Sequence, residues 1–464
     1  DDTLVIAWAH TEVVDQAAVE PTCTTVGYTE AAHCSVCGVV TKERTRIAKL
    51  GHTYSEETHL CIRCGAVDPS AAVAQTSSSK KYLTLTDALE DAASGKTITI
   101  LKDIDTPDVS YTVDGKKLTI DLSGKTITGY GYKGVLFATN GADLTVKDTK
   151  GTGKLIAAES AYDEATEKSG YAMTIWANGA DTKVTLTGGS HSQTVRSSDP
   201  GGYNMVYASN GAQIAITGGT YTSVGPKWTL NCQDKSASRI TVSGGKFYQC
   251  DLSKDATAKP GYPEVVLAEG YTAVQLADNY YLVTPFAGGS GTEADPYQIK
   301  TCAQALAMND YPGYYKFVDD VVVTDEIYLS GKTFVIDLNG HSVTLAYGEN
   351  VKPNNGSVFY VGGKKSSLTI NDSSNGEGKV IGSDKTYANK VTCAVRAGNY
   401  GKLTINGGHF YGMSEGTSCI FTMTAYSSGS KATVVINGGT FETASPSSGI
   451  YYVLNHQDNA TAGC

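Results

Sequence analysis

A Gly-Gly doublet that returns at a long, nearly constant interval constrains this chain more than any other feature. Thr187-Gly188-Gly189, Thr217-Gly218-Gly219 and Ser243-Gly244-Gly245 follow one another at steps of 30 and 26, and Asn406-Gly407-Gly408 and Asn437-Gly438-Gly439 at a step of 31. An alternating apolar stretch precedes the doublet, as in Val184-Thr185-Leu186 and Leu403-Thr404-Ile405. A short stretch with an aromatic follows it, as in Lys246-Phe247-Tyr248 and His409-Phe410-Tyr411. Strand, glycine corner, strand, polar loop and next strand describe one coil of a solenoid. One coil cannot bury its inward side chains, whereas stacked coils form parallel sheets around a continuous aliphatic core. Glycine supplies the positive-φ corner that branched residues cannot adopt. An antiparallel sandwich would instead space its strands every ~8–12 residues without a superperiod.

A larger repeat overlies the small one. Tyr82 to Thr86 matches Tyr297 to Thr301, Leu118 to Gly124 matches Phe334 to Gly340, and Asn231 to Asp234 matches Asn455 to Asp458, at offsets of 215, 216 and 224. The expected organisation is therefore a Cys/His-rich ribbon over 1–65, a linker over 66–80, one β-helix module over 81–285, a Gly/Ser linker over 286–294 and a second module over 295–464. Each module should open with a short capping helix, begun by Thr86 or Thr301 and, in the first copy, ended by Gly95. The first copy has closing strands at 265–268 and 280–283 with no counterpart after Asp458, so the second reads as incomplete and the chain as a piece of a longer one.

The ribbon carries two Cys-x-x-Cys-Gly knuckles, Cys34/Cys37 and Cys61/Cys64, each behind a His-Thr pair, at His10 and His52. Two knuckles can complete one tetrahedron around a structural zinc, with Cys23, His10 and His52 as alternative ligands. A disulfide framework is the competing reading. His33 and His59 flank the knuckles as bystanders.

The run Ile336 to His341, the Thr-Gly-Gly-Thr-Tyr corner and the joint from Gly288 to Tyr297 resemble the large repetitive surface proteins of gut Firmicutes, which carry pectin-lyase-like right-handed β-helices. The segment from Trp8 to Gly65 is similar to the Cys/His repeats beside such helices. The resemblance implies an all-β fold of tandem right-handed parallel β-helices behind a small ribbon, and a place on the outside of a bacterial cell.

Net charge is −10 from 37 basic and 47 acidic side chains, which gives no electrostatic reason to seek nucleic acid or anionic lipid. No run of 18 apolar residues predicts a membrane span. Asp121 and Asp337, copied in both modules, read as turn caps rather than catalytic acids, and no catalytic residue is assigned. Arg196 and Arg396 are the outward basic candidates for a lyase-type site. Tyr203, Tyr207, Trp228 and Tyr411 are candidate glycan-stacking residues beside Tyr221, Tyr248 and Phe410, against an internal ladder that suits Phe247 and Phe410. Cys393 and Cys419 should stack one coil apart, as buried thiols or as a disulfide. The expected function is an extracellular structural or adhesive surface protein, a rod-like stalk, fibre subunit or glycan-directed adhesin whose partners are glycans or further copies in a head-to-tail polymer. The alternative is a secreted polysaccharide lyase or hydrolase.

Overall fold

The computed structural model describes residues 10–106, 109–129, 133–158, 173–194, 204–223, 229–233, 235–253, 265–347, 356–383, 392–412, 418–424, 431–443 and 452–458. They are almost all β, with several parallel sheets. The helices among them are Leu85–Asp91, Cys302–Leu306 and the 3-10 turn Ala307–Asp310. No helix among them is long and apolar enough to cross a membrane. The chain divides into two compact units, residues 1–214 with 223–239, and residues 215–222 with 240–464.

In the first unit the ribbon is antiparallel, with Ala31–Cys34 between Glu12–Gln16 and Val40–Lys42. Beyond it the pairing turns parallel and in register. Ile98, Ile120, Val146 and Leu186 occupy equivalent positions on successive strands. So do Ile104, Ile127, Leu155 and His191, and Val113, Ala138, Ala177, Ala208 and Cys232. All these side chains are buried. In the first of these families Thr97, Thr119, Thr145 and Thr185 fill the alternate positions and face outward, because strand side chains alternate with a period of two.

The second unit repeats the pattern on three sheets. Phe334, Leu368, Leu403 and Val434 align on one, Val343, Val380, Phe410 and Phe441 on another, and Phe359, Val395, Ile420 and Leu454 on the third. The segment that closes the first copy lies in this unit. Val265–Leu267 adds parallel to Ile240–Val242, and Tyr280–Thr284 adds antiparallel to Gly245–Tyr248.

The glycine corners have a specific cause. Gly189 and Gly408 sit at φ +87° and +100°. A Cβ on them would stand 2.8 Å from Leu122 Cδ1 and 2.7 Å from Leu338 Cδ1, the residues that correspond between copies. The shared aspartates are turn hubs, as expected. Asp121 Oδ1 accepts from the N–H groups of Ser123 and Thr149 at 2.9 and 3.1 Å, and Asp337 Oδ1 from those of Asn339 and Ser373 at 3.0 and 2.8 Å.

Several expectations need correction. The first capping helix begins after Thr84, whose hydroxyl accepts from Asp87 N–H at 3.1 Å, and it ends at Ala92; Thr86 lies inside it and Gly95 beyond it. Thr301 caps the second helix, within a capping box closed by Gln304. Residues 74–76, expected in a linker, form a strand antiparallel to Lys96–Ile100, with Ala74 fully buried. Phe286, expected in the second linker, is buried in the core of the second unit. Cys393 pairs with Ser418, not with Cys419. That one-residue offset turns the two thiols to opposite faces of the sheet, and both are free.

Candidate metal centre

The ribbon gathers its cysteines and histidines into two groups rather than one. Cys23, His52, Cys61 and Cys64 bring one ligand atom each within 4.8 Å of one another, and His10, Cys34 and Cys37 do the same. The two knuckles expected to share a metal are thus divided, and the alternates Cys23, His10 and His52 are all drawn in. Each group could hold a metal ion.

The knuckle geometry explains the placement. Gly38 and Gly65 follow the knuckles at φ +72° and +70°, and their N–H groups return to the carbonyls of Cys34 and Cys61 at 2.9 and 2.8 Å. This tight turn aims backbone groups of Cys37 and Val36 at the Cys34 sulfur. With His10 added, they hold the Cys34 pKa down at about 6. The backbone of Arg63 does the same for Cys61, and His52 reinforces it against desolvation, so that this thiol falls to about 5. The backbone of Ala66 favours the Cys64 thiolate, but desolvation and the neighbouring Cys61 and Cys23 sulfurs outweigh it and raise the thiol. The thiolate is the form that binds a metal, so each knuckle presents a ready donor.

The four-residue group is compact. Cys23 Sγ lies 3.8 Å from Cys61 Sγ, and Cys64 Sγ lies 3.4 Å from His52 Nδ1. Cys23 and Cys61 are buried. Cys23 reaches the second knuckle because Leu50 N–H donates to the Thr22 carbonyl at 2.9 Å, tying the two halves of the ribbon beside it. In the three-residue group Cys37 Sγ lies 3.5 Å from His10 Nδ1, and both side chains are exposed. His33 turns instead to Asp15, at 2.6 Å, in keeping with its expected bystander role.

The aromatic candidates separate. Tyr203, Trp228 and the basic candidate Arg196 lie outside the described residues. Tyr207 is half-buried and belongs to a ladder of buried Phe137 and half-buried Trp176 and Tyr207 on adjacent strands, with ring centroids 5.0 and 6.1 Å apart. Tyr411 is half-buried beside His409, whose Nδ1 is 3.0 Å from its hydroxyl. Tyr221 and Phe410 are not platforms. Both are buried, Tyr221 stacked on Phe247 at 4.8 Å and Phe410 on Phe441 at 5.2 Å.

A matching ladder in the second copy escaped sequence reasoning: Tyr328, Tyr360 and Arg396, in register on successive strands. Tyr328 is exposed, its ring is 5.1 Å from that of Tyr360, and the Arg396 guanidinium lies 4.0 Å over Tyr360. Arg396 also pairs with Glu326 at 2.9 Å, while burial pushes the Glu326 carboxyl above its usual range. The Asn231/Asn455 correspondence held the signal, because the register that runs through Tyr207 reaches Asn231 on the next strand, and the register that runs through Arg396 reaches Asn455 two strands on. No family model matches this chain, and comparison with curated proteins and with solved structures likewise found no match.

Proposed function

We propose that the chain is an extracellular structural or adhesive element of a bacterial surface, built from two right-handed parallel β-helix copies behind a zinc-clasped ribbon. One observation carries the reading: the second unit keeps strict parallel register over three strand families while the sequence advances by about one coil each time. On one sheet, residues 334, 368, 403 and 434 align, at steps of 34, 35 and 31. A chain that spends its length on stacked coils builds reach and surface rather than a deep pocket. The accessible rings of the two ladders, exposed Tyr328 with half-buried Trp176, Tyr207 and Tyr360, support glycans as ligands, since such rings suit apolar sugar faces. Lys133 lies 4.6 Å over Phe137 in the first copy, as Arg396 lies over Tyr360 in the second.

Zinc is the metal that best suits the four-residue group. Tetrahedral zinc with bonds of ~2.3 Å to sulfur and ~2.0–2.1 Å to nitrogen requires S···S and S···N edges of about 3.8 and 3.6 Å. The observed edges are 3.8 and 3.4 Å. Electron microscopy together with solution mass tests the structural reading. Fibres or discrete elongated particles that bind glycan arrays support it, and a compact particle that binds none overturns it. The Arg396–Glu326 pair favours a second reading, polysaccharide cleavage, which release of new reducing or unsaturated ends would establish.

A further inference from the structure

The three-residue group differs from its neighbour in one chemical respect. Where Cys23 completes the second knuckle, no fourth Cys, His, Asp or Glu joins His10, Cys34 and Cys37 among the described residues. The asymmetry follows from chain order. Cys23 lies in the first half of the ribbon but is given to the second knuckle, and the second half, Gly38 to Gly65, has no extra cysteine to return. Each group mixes buried and exposed members: Cys34 is buried with Cys37 and His10 exposed in the first, and Cys23 and Cys61 are buried with His52 and Cys64 exposed in the second. The 3.5 Å S···N edge of the first group is already that of a tetrahedral ion. Three protein ligands around such an ion leave its fourth vertex without a ligand among the described residues, and an open vertex is what separates reactive metal sites from purely structural ones.

We propose that His10, Cys34 and Cys37 bind a second metal ion whose fourth position is filled from solution by an exchangeable Lewis base: water, a small anion or a thiol. The ribbon then holds one closed and one open site. The closed site ties the two halves together, and the open one is the place where a small ligand reaches a metal on this protein. No bond in the protein is made or broken in the exchange; one base leaves the metal as another enters. The inference is independent of the stalk or adhesin reading.

Cobalt(II) is the probe, because its visible ligand-field bands report the donor set. The full chain should take up two cobalt ions, and azide should shift part of the spectrum. Cys37→Ser and His10→Ala, both at exposed positions, should each lower uptake to one ion and abolish the azide response. Cys64→Ser should also bind one ion but keep that response. Binding of a single ion that Cys37→Ser leaves untouched would overturn the open site while leaving the closed one intact. Two ions with a spectrum indifferent to azide would overturn the exchangeable vertex. If Cys64→Ser does not fold, the comparison of wild type with His10→Ala decides alone.

Discussion

His191 is the side chain that departs furthest from its surroundings. It occupies a fully buried inward position aligned with Leu155, with Nδ1 3.2 Å from the Thr174 hydroxyl. Desolvation pulls its pKa from 6.5 down to about 4, against a small opposing pull from the Gly188 backbone. The folded value lies below the unfolded one, so the unfolded chain takes up the proton first. Stability is therefore complete above about pH 6.5 and is lost as pH falls toward 4. The shift of about 2.5 units corresponds to ~3 kcal/mol at ~1.4 kcal/mol per unit. His191→Leu, which extends the Leu155 stack, should flatten the pH dependence of the first unit's denaturation midpoint between pH 6.5 and 4. An unchanged slope would remove His191 as its source.

At the scale of elements, the glycine corners make the sharpest comparison. Gly408 and Gly376 have nearly the same φ, +100° and +103°, but a Cβ would meet Leu338 and the Gly378 carbonyl at the first and nothing within 4 Å at the second. Gly376→Ala should cost only the backbone strain, ~1–3 kcal/mol. Gly408→Ala should cost the contact as well and give the lower thermal midpoint of the two. These corners were legible in advance because a positive φ between strands leaves its mark in residue type, and their spacing carried the parallel strand pairing with it. The inward Leu and Ile positions followed from alternation. The partition of the ribbon cysteines was not legible, since knuckle spacing does not say which histidine folds back onto which pair. Cys393 and Cys419 are buried free thiols, one of the two readings offered, but their stacking failed for a related reason. Side chains alternate every residue, so one residue more or less in the intervening loop moves a thiol to the other face. The register of the second aromatic ladder was hidden in the same way until strand pairing aligned Tyr360 with Arg396.

For the whole molecule, two kinds of cohesion coexist. The ribbon has few buried apolar groups beside its Cys/His groups, while the parallel sheets enclose stacked aliphatic cores. Stripping metal with a strong chelator should abolish an early thermal transition and raise thiol reactivity at Cys61 and Cys64. The strand signal in circular dichroism should persist, because among the described residues both Cys/His groups lie wholly within the ribbon. Collapse of the strand signal together with the ribbon would show that the parallel sheets need the metal too.

The gift of Cys23 to the second knuckle has a mechanical meaning. Cys23 and Cys61 stand 38 residues apart along the chain yet 3.8 Å apart in space. With an ion between them, a pull on the amino end bypasses the intervening chain and passes through a coordination bond. Chelation under load should therefore release slack of about 125–135 Å, at ~3.3–3.6 Å per extended residue. Tethered in an optical trap by its two ends, the protein should show that step only after the ion is removed. A tether that lengthens equally with the ion in place would mean that the ribbon carries no force through this bond. A chain held this way would have a fuse whose rating is set by a metal, and so by the chemistry of the fluid around it.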